Sequence, residues 1–299
     1  MLLLNCLGGF DPQRLMRPVL ALAALLAPLS LPAATPPQRV IALAPHITEL
    51  LFAAGAGNKV VATVNSANAP NEARALPRIG DGVLLNAEAL LAFRPDLLIA
   101  WHPVTALRTL EPLLHRTGAS IQYSAPQSLA AIPDEIQRFG ALFQTQAIAD
   151  PAADALRQRL DTLRQRYAAR PTLTVLLDLG EFPIYTLAND ASFNSILAQC
   201  GGRNLYADSR LPALQVERET VLARNPDAVM VAATPALTRK RQAYWARLQL
   251  PAAQRGHVLH IDPDLLLRPG PRQIEAAEQV CGFLEQVRQA NGSKLGTAR

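Results

Sequence analysis

A segment written twice restricts the folds open to this chain more than any other feature. Glu88-Ala-Leu-Leu-Ala-Phe-Arg-Pro-Asp96-Leu-Leu-Ile-Ala100 returns 131 positions later as Glu219-Thr-Val-Leu-Ala-Arg-Asn-Pro-Asp227-Ala-Val-Met-Val231. Glu, Leu, Ala, Pro and Asp recur at identical offsets. Each copy reads as a short helix that must end before its proline, because the residue preceding Pro disfavours the α region. The continuous apolar run that follows is typical of a parallel strand buried on both faces. A duplicated helix-strand unit predicts two α/β lobes, each with a parallel sheet, and a ligand in the crevice between them.

The remaining pattern supports that plan. Residues 39–44 read as a strand, after which Ile47, Leu50, Leu51 and Ala54 keep helical spacing until Gly55 and Gly57. Strands follow at 59–64 and 119–125. Between 150 and 170, Ala153, Leu156, Leu160, Leu163 and Tyr167 step by three or four while arginines occupy the other faces, which predicts one amphipathic helix about 30 Å long. Arg170-Pro171 ends it. A fresh strand at 172–179 opens the second lobe, Ser195 to Gly202 repeats the helix-then-glycine ending, strands follow at 228–233 and 257–261, and a last helix covers 273–289. The predicted organisation is a signal peptide over 1–34, an N-terminal α/β lobe over 35–149, a connecting helix over 150–170, a C-terminal α/β lobe over 171–290 and a flexible tail over 291–299.

The leader is read from Met16-Arg17-Pro18, an apolar run too short to span a bilayer comfortably, and Pro32-Ala33-Ala34, the order of a secretory signal cleaved near residue 34. Met16 is an alternative start. Cys6 precedes the apolar run, opposite to the order of a lipid attachment site. Loss of the leader leaves Cys200 and Cys281 in a chain bound for an oxidising compartment. A disulfide is the default reading, with two separate buried thiols as the alternative. The 29 Lys and Arg against 24 Asp and Glu give a basic chain, but the arginines are scattered, so no nucleic-acid partner is inferred.

Catalytic signatures are missing from the sequence. There is no G-x-S-x-G, Walker A sequence, H-E-x-x-H, or G-x-G-x-x-G after a strand. An enzyme such as a secreted hydrolase is therefore the weaker class, since no nucleophile, base and orienting group occur together. The five histidines lack close metal-ligand spacing, and His257 and His260 fall on opposite faces of a strand. His115 and His257 read as surface or structural. His46, opening a helix after the first strand, and His102, at the carboxyl end of another, sit where α/β folds place ligands.

Three segments taken together resemble the periplasmic substrate-binding family of iron-siderophore, haem and vitamin B12 ABC importers, most of all its B12 branch. They are Arg39-Val-Ile-Ala-Leu-Ala-Pro-His-Ile-Thr-Glu-Leu-Leu-Phe-Ala-Ala-Gly55, the repeat through Arg94-Pro-Asp-Leu-Leu-Ile-Ala-Trp101, and Cys200-Gly-Gly-Arg-Asn-Leu205 to Val221-Leu-Ala-Arg224. The likeness spans Arg39 to Val287. It implies two lobes on a helical backbone with little hinge motion, a monomer in the periplasm, and cobalamin or a related corrinoid delivered to an ABC permease dimer without chemical turnover. Haem or a ferric siderophore is the alternative ligand, with His46 then available to iron. The resemblance also implies ligand contacts from Tyr185 and Arg268, permease contacts from Glu88 and Glu219, and a Cys200–Cys281 bridge, while Trp101, His102 and Ser66 are expected to line the first lobe of the cleft. Where the B12 branch carries aromatic rings, this sequence has Ser66, Ala69, Gly82 and Ala213.

Overall fold

The computed structural model describes residues 35–180 and 182–296. The expected signal peptide lies outside the described residues. The first lobe runs β1 (Val40–Ala42), α1 (Pro45–Ala53), β2 (Val60–Thr63), α2 (Ala87–Ala92), β3 (Leu97–Ala100), α3 (Thr105–Arg116), β4 (Ser120–Tyr123) and α4 (Ala131–Phe143). Its four strands are all parallel, in the order β2-β1-β3-β4. Helix α5 (Gln146–Tyr167) leads to the second lobe: β5 (Leu173–Asp178), β6 (Ile184–Leu187), α6 (Ala191–Gln199), β7 (Gly202–Asn204), β8 (Ala213–Val216), α7 (Arg218–Arg224), β9 (Ala228–Ala232), α8 (Pro235–Arg247), α9 (Pro251–Gln254), β10 (Val258–Ile261), α10 (Pro263–Leu266) and α11 (Gln273–Gly296). The second parallel sheet has the order β10-β9-β5-β7. Numbered within its own lobe, each sheet reads 2-1-3-4, so the duplication extends to topology.

The repeated Pro-Asp has one physical job in both lobes. Arg94 and Asn225, at matching offsets, turn the chain with φ of 45° and 43°. The Asp96 carboxylate then accepts from the backbone N–H of Gln38 (2.6 Å) and Arg39 (3.0 Å), while its own N–H donates to the Arg39 carbonyl. Asp227 does the same to Thr174, accepting from its N–H at 2.7 Å and its hydroxyl at 2.8 Å and donating back to its carbonyl. Each aspartate thereby staples β3 to β1, or β9 to β5, at the start of the strand. That fixes the register, which in a sheet decides which side chains face which layer.

Helix α5 opens at Gln146, ahead of the predicted residue 150. The turn from α4 is made by Gln144 in the left-handed region, and the two helices touch at Gly140, where a Cβ would lie 2.3 Å from that of Ala149. Pro151 inside α5 forfeits one hydrogen bond but does not end the helix. As the spacing predicts, Ala153, Leu156, Leu160, Leu163 and Tyr167 are buried. They belong to a continuous apolar core that reaches Ile47 and Phe139 on one side and Leu177, Ile274 and Val280 on the other. Arg159 adds a two-pronged ion pair to Glu278 of α11, at 2.7 and 2.8 Å. Cys200, just past α6, is bonded to Cys281 of α11, and both are fully buried.

Two expectations are corrected. The last helix continues to Gly296, into the segment read as a tail, because residues 291–296 contain no proline and glycine, here at 292 and 296, weakens a helix without necessarily breaking it. The second lobe also carries an antiparallel ribbon, β6 against β8, that the sequence reading does not contain. Its strands are short, bounded by Pro183 and Pro212, and buried only on alternate residues. No helix among the described residues is long and apolar enough to cross a membrane.

Candidate ligand cleft

The carboxyl ends of the first sheet face the second lobe across a cavity of about 320 Å³. From the first lobe, Trp101 and His102 follow β3, and Pro126 and Gln127 follow β4. Opposite them lie Leu187 at the end of β6, Asp190, Ser192 and Phe193 at the start of α6, Leu266, Leu267 and Pro269 after β10, and Gln273 opening α11. Local hydrogen bonds set this wall. Asp190 caps α6 by accepting from the Phe193 N–H (2.7 Å), Ser192 donates to Gln273 Oε1 (3.1 Å), and Gln273 donates to the Leu266 carbonyl (2.8 Å). None of the lining residues is Lys or Arg.

Behind the first-lobe wall sits His46, at the second position of α1 and fully buried. Its Nε2 lies 3.2 Å from the Ser124 carbonyl. A carbonyl only accepts, so that contact places the proton on Nε2 and leaves Nδ1 as a bare acceptor. Nδ1 and the hydroxyl Oγ of the same Ser124 are buried without a hydrogen-bond partner among the described residues. Burial pushes the imidazole from 6.5 down to about 4, an effect the Ser124 contact offsets only in part. Trp101 covers it, edge-on to His46 at 4.8 Å and stacked on His102 at 5.2 Å. His46 therefore lies beneath the cavity wall, while Trp101 and His102 form it.

The remaining predicted ligand residues, Ser66, Tyr185 and Arg268, are not among the residues that line this cavity. Tyr185 is 41% exposed on the same face of β6 as Leu187. Ala213 pairs with Leu187 across the ribbon, and Ser66 is exposed in the loop after β2. Gly82 could not carry an aromatic ring here: its φ is +89°, and a Cβ would meet the Leu43 carbonyl oxygen at 2.4 Å. Arg268 stands between the lining residues Leu267 and Pro269. Its guanidinium is already paired, with Asp264 at 2.5 Å and with Asn68 Oδ1 at 3.0 Å. Burial lowers its pKa from the usual arginine value, and Asp264 opposes that shift. Among the described residues no group of three or more His, Cys, Asp or Glu could hold a metal ion.

Residues 40–265 match the periplasmic binding protein family. The chain belongs to that family. It is 35% identical over 250 residues to a vitamin B12-binding protein of Vibrio cholerae, covering 84% of this chain and 90% of the relative. The crystal structure of the periplasmic vitamin B12 binding protein BtuF of Vibrio cholerae aligns with a TM-score of 0.76 at 34% identity, over 85% of this chain and 99% of that one. The periplasmic haem-binding protein RhuT of Roseiflexus sp. shares the fold at a TM-score of 0.72 and 23% identity, over 84% and 98% of the two chains.

Within this family fold, the two glutamates of the repeat occupy equivalent places. Glu88 and Glu219 are each the second residue of a short helix, α2 and α7, and both are exposed. Glu219 is hydrogen-bonded by Arg218 at 2.6 Å, which holds its carboxyl below the usual range. His115 lies on the surface near Glu111, and His257, whose ring contacts the Asp227 carbonyl, is buried. The sequence reading missed Gln127, Leu187, Ser192 and Gln273. Their common signal is position, at or within a few residues of a strand's end or at a helix start, which composition alone does not rank.

Proposed function

We propose that this chain is a periplasmic binding protein that captures a corrinoid of the cobalamin type between its lobes and delivers it to an ABC permease in the inner membrane. The observation that carries the reading is the 34–35% identity to vitamin B12-binding proteins over most of the chain. The chemistry of the cleft supports the ligand class. Haem carboxylates or an anionic ferric chelate, once desolvated, call for an unpaired cation. The cavity wall has none, and Arg268 beside it is already matched to Asp264. A corrinoid periphery rich in neutral amides instead needs the donors and acceptors that His102, Gln127, Ser192 and Gln273 supply. Trp101 and Tyr185, one from each lobe, offer rings for the macrocycle and its base. His46 as a haem ligand is the less supported reading, since its ring is covered by Trp101.

Glu88 and Glu219 are assigned to the permease. Each lobe then presents one carboxylate at the same structural position, suited to a partner built from two equivalent subunits with basic sockets. The test of the ligand is calorimetry of the leaderless protein with cyanocobalamin, hemin and a ferric catecholate. One equivalent of cyanocobalamin should bind, Tyr185→Ala should weaken it about tenfold, in line with the worth of a buried ring contact, and His115→Ala should leave it unchanged. Binding of hemin or the chelate without cyanocobalamin would overturn the assignment.

A further inference from the structure

The two lobes are also joined on the cleft side, by side chains that meet only in the folded molecule. Asn68, in the loop after β2, reaches three residues of the second lobe. Its Nδ2 donates to Asp264 Oδ2 at 2.7 Å, while its Oδ1 accepts from Arg268 Nη1 at 3.0 Å and Arg272 Nη2 at 3.1 Å. The same Arg272 nitrogen donates to Glu49 Oε1 of α1 at 2.7 Å, and Glu49 is only 5% exposed. Arg268 closes the circuit through Asp264. An amide suits this node because it presents an acceptor to two guanidinium groups and a donor to a carboxylate at once. Aspartate would face Asp264 with like charge, and an apolar residue would satisfy neither side.

We propose that Asn68 is a positioning residue: it clasps the first lobe to the Asp264-Arg268-Arg272 segment, holds Arg268 in place beside the cleft, and thereby sets how long a bound ligand stays. The residence-time part rests on the corrinoid reading above; the clasp does not. Helix α5 and its core resist wide opening from behind, so the rim is where small separations of the lobes are decided. Ligand departure between Trp101 on one side and Leu267 and Pro269 on the other requires such a separation. The clasp has to break for it. A charged network of this kind is also coupled: loss of its one uncharged member leaves Arg268 to Asp264 and Arg272 to Glu49, and removes the direct link from the first lobe to Asp264 and Arg268.

The experiment uses the leaderless protein and two variants, Asn68→Leu and Asn68→Asp. Hydrogen exchange without added ligand should show faster exchange in both 64–70 and 262–272 for each variant, with the thermal midpoint held within about 2 °C, as befits loss of exposed polar contacts. Stopped-flow displacement of cyanocobalamin should show dissociation roughly tenfold faster for Asn68→Leu, and association within about twofold of the parent, because truncating a hydrogen-bonded partner acts mainly on the off-rate. Unchanged exchange in those two segments would overturn the clasp. Exchange that rises while cyanocobalamin dissociation stays within twofold would overturn the residence-time role. If the parent protein binds no cyanocobalamin, the corrinoid reading and the residence-time role fall together, and the exchange data still decide the clasp.

Discussion

Breaking the Cys200–Cys281 bond should cost this protein a large share of its stability without touching the cleft. The two cysteines are 81 residues apart in sequence, and loop-closure entropy over that span gives about 4.5 kcal/mol, with the partition between entropy and enthalpy depending on the treatment of the unfolded chain. At about 2 cal/mol/K of unfolding entropy per residue, a body of this size would lose about 8 °C in its midpoint. Cys200→Ala, Cys281→Ala and the double variant separate the cross-link from simple packing. Both sulfurs are fully buried, so each truncation adds a cavity term of about 1 kcal/mol. Either single change removes the whole cross-link, and the double variant should therefore fall only slightly below the singles. Urea titration followed by circular dichroism reads all three. Neither cysteine lines the cleft, so affinity for cyanocobalamin at a temperature where the variants remain folded should match the parent. Strictly additive single losses, or a loss below about 1 kcal/mol, would show that the bond does not constrain the unfolded chain as reasoned here.

Two further outcomes are expected. His46 is held neutral by burial, with its pKa lowered from 6.5 to about 4, so between those values only the unfolded chain takes up its proton. Its contribution is complete above about pH 6.5 and shrinks as pH falls toward 4, by about 3 kcal/mol in all; urea titrations from pH 7 to 4 should show that loss in the parent and a shallower one in His46→Gln, and parallel slopes would refute it. Replacing Glu88 and Glu219 together by Ala should leave cyanocobalamin affinity unchanged and slow uptake in proteoliposomes carrying the permease, with each single replacement intermediate because exposed charges chiefly steer encounter; normal uptake by the double variant, or loss of ligand binding without the permease, would remove the docking role.

The parts of the fold that could be read in advance are those whose cause is local. Pro95-Asp96 and Pro226-Asp227 each turn the chain and staple two neighbouring strands, so the same physical task leaves the same letters twice. The apolar stripe from Ala153 to Tyr167 is equally plain, since one helix face is enough to define it. What escaped depends on partners far apart in sequence. Tyr185 has a strand partner only because Gln215 lies opposite, and nothing near either residue announces the ribbon. Asn68 and Arg272 are 204 positions apart. The burial of His46 likewise depends on Trp101, and neither residue's neighbours indicate that one covers the other.

The substituted aromatic positions follow a structural logic of their own. Gly82 is dictated by its left-handed backbone and by the carbonyl of Leu43, so no ring can return there without moving the loop. Ala213 sits across from Leu187 on the face that flanks the cleft, where a small residue leaves Tyr185 and Leu187 as the main apolar surface of the ribbon. On the proposed corrinoid reading, the two rings Trp101 and Tyr185 would contribute about 0.5–1.5 kcal/mol each beyond the area they bury. That is modest for a ligand as large as a corrinoid. Discrimination would then rest on the polar wall, where a ligand amide buried without a partner such as Gln127, Ser192 or Gln273 would cost about 1–3 kcal/mol. Under the proposed corrinoid reading, side-chain amides of the corrin, more than its flat face, are accordingly the features the cleft would discriminate.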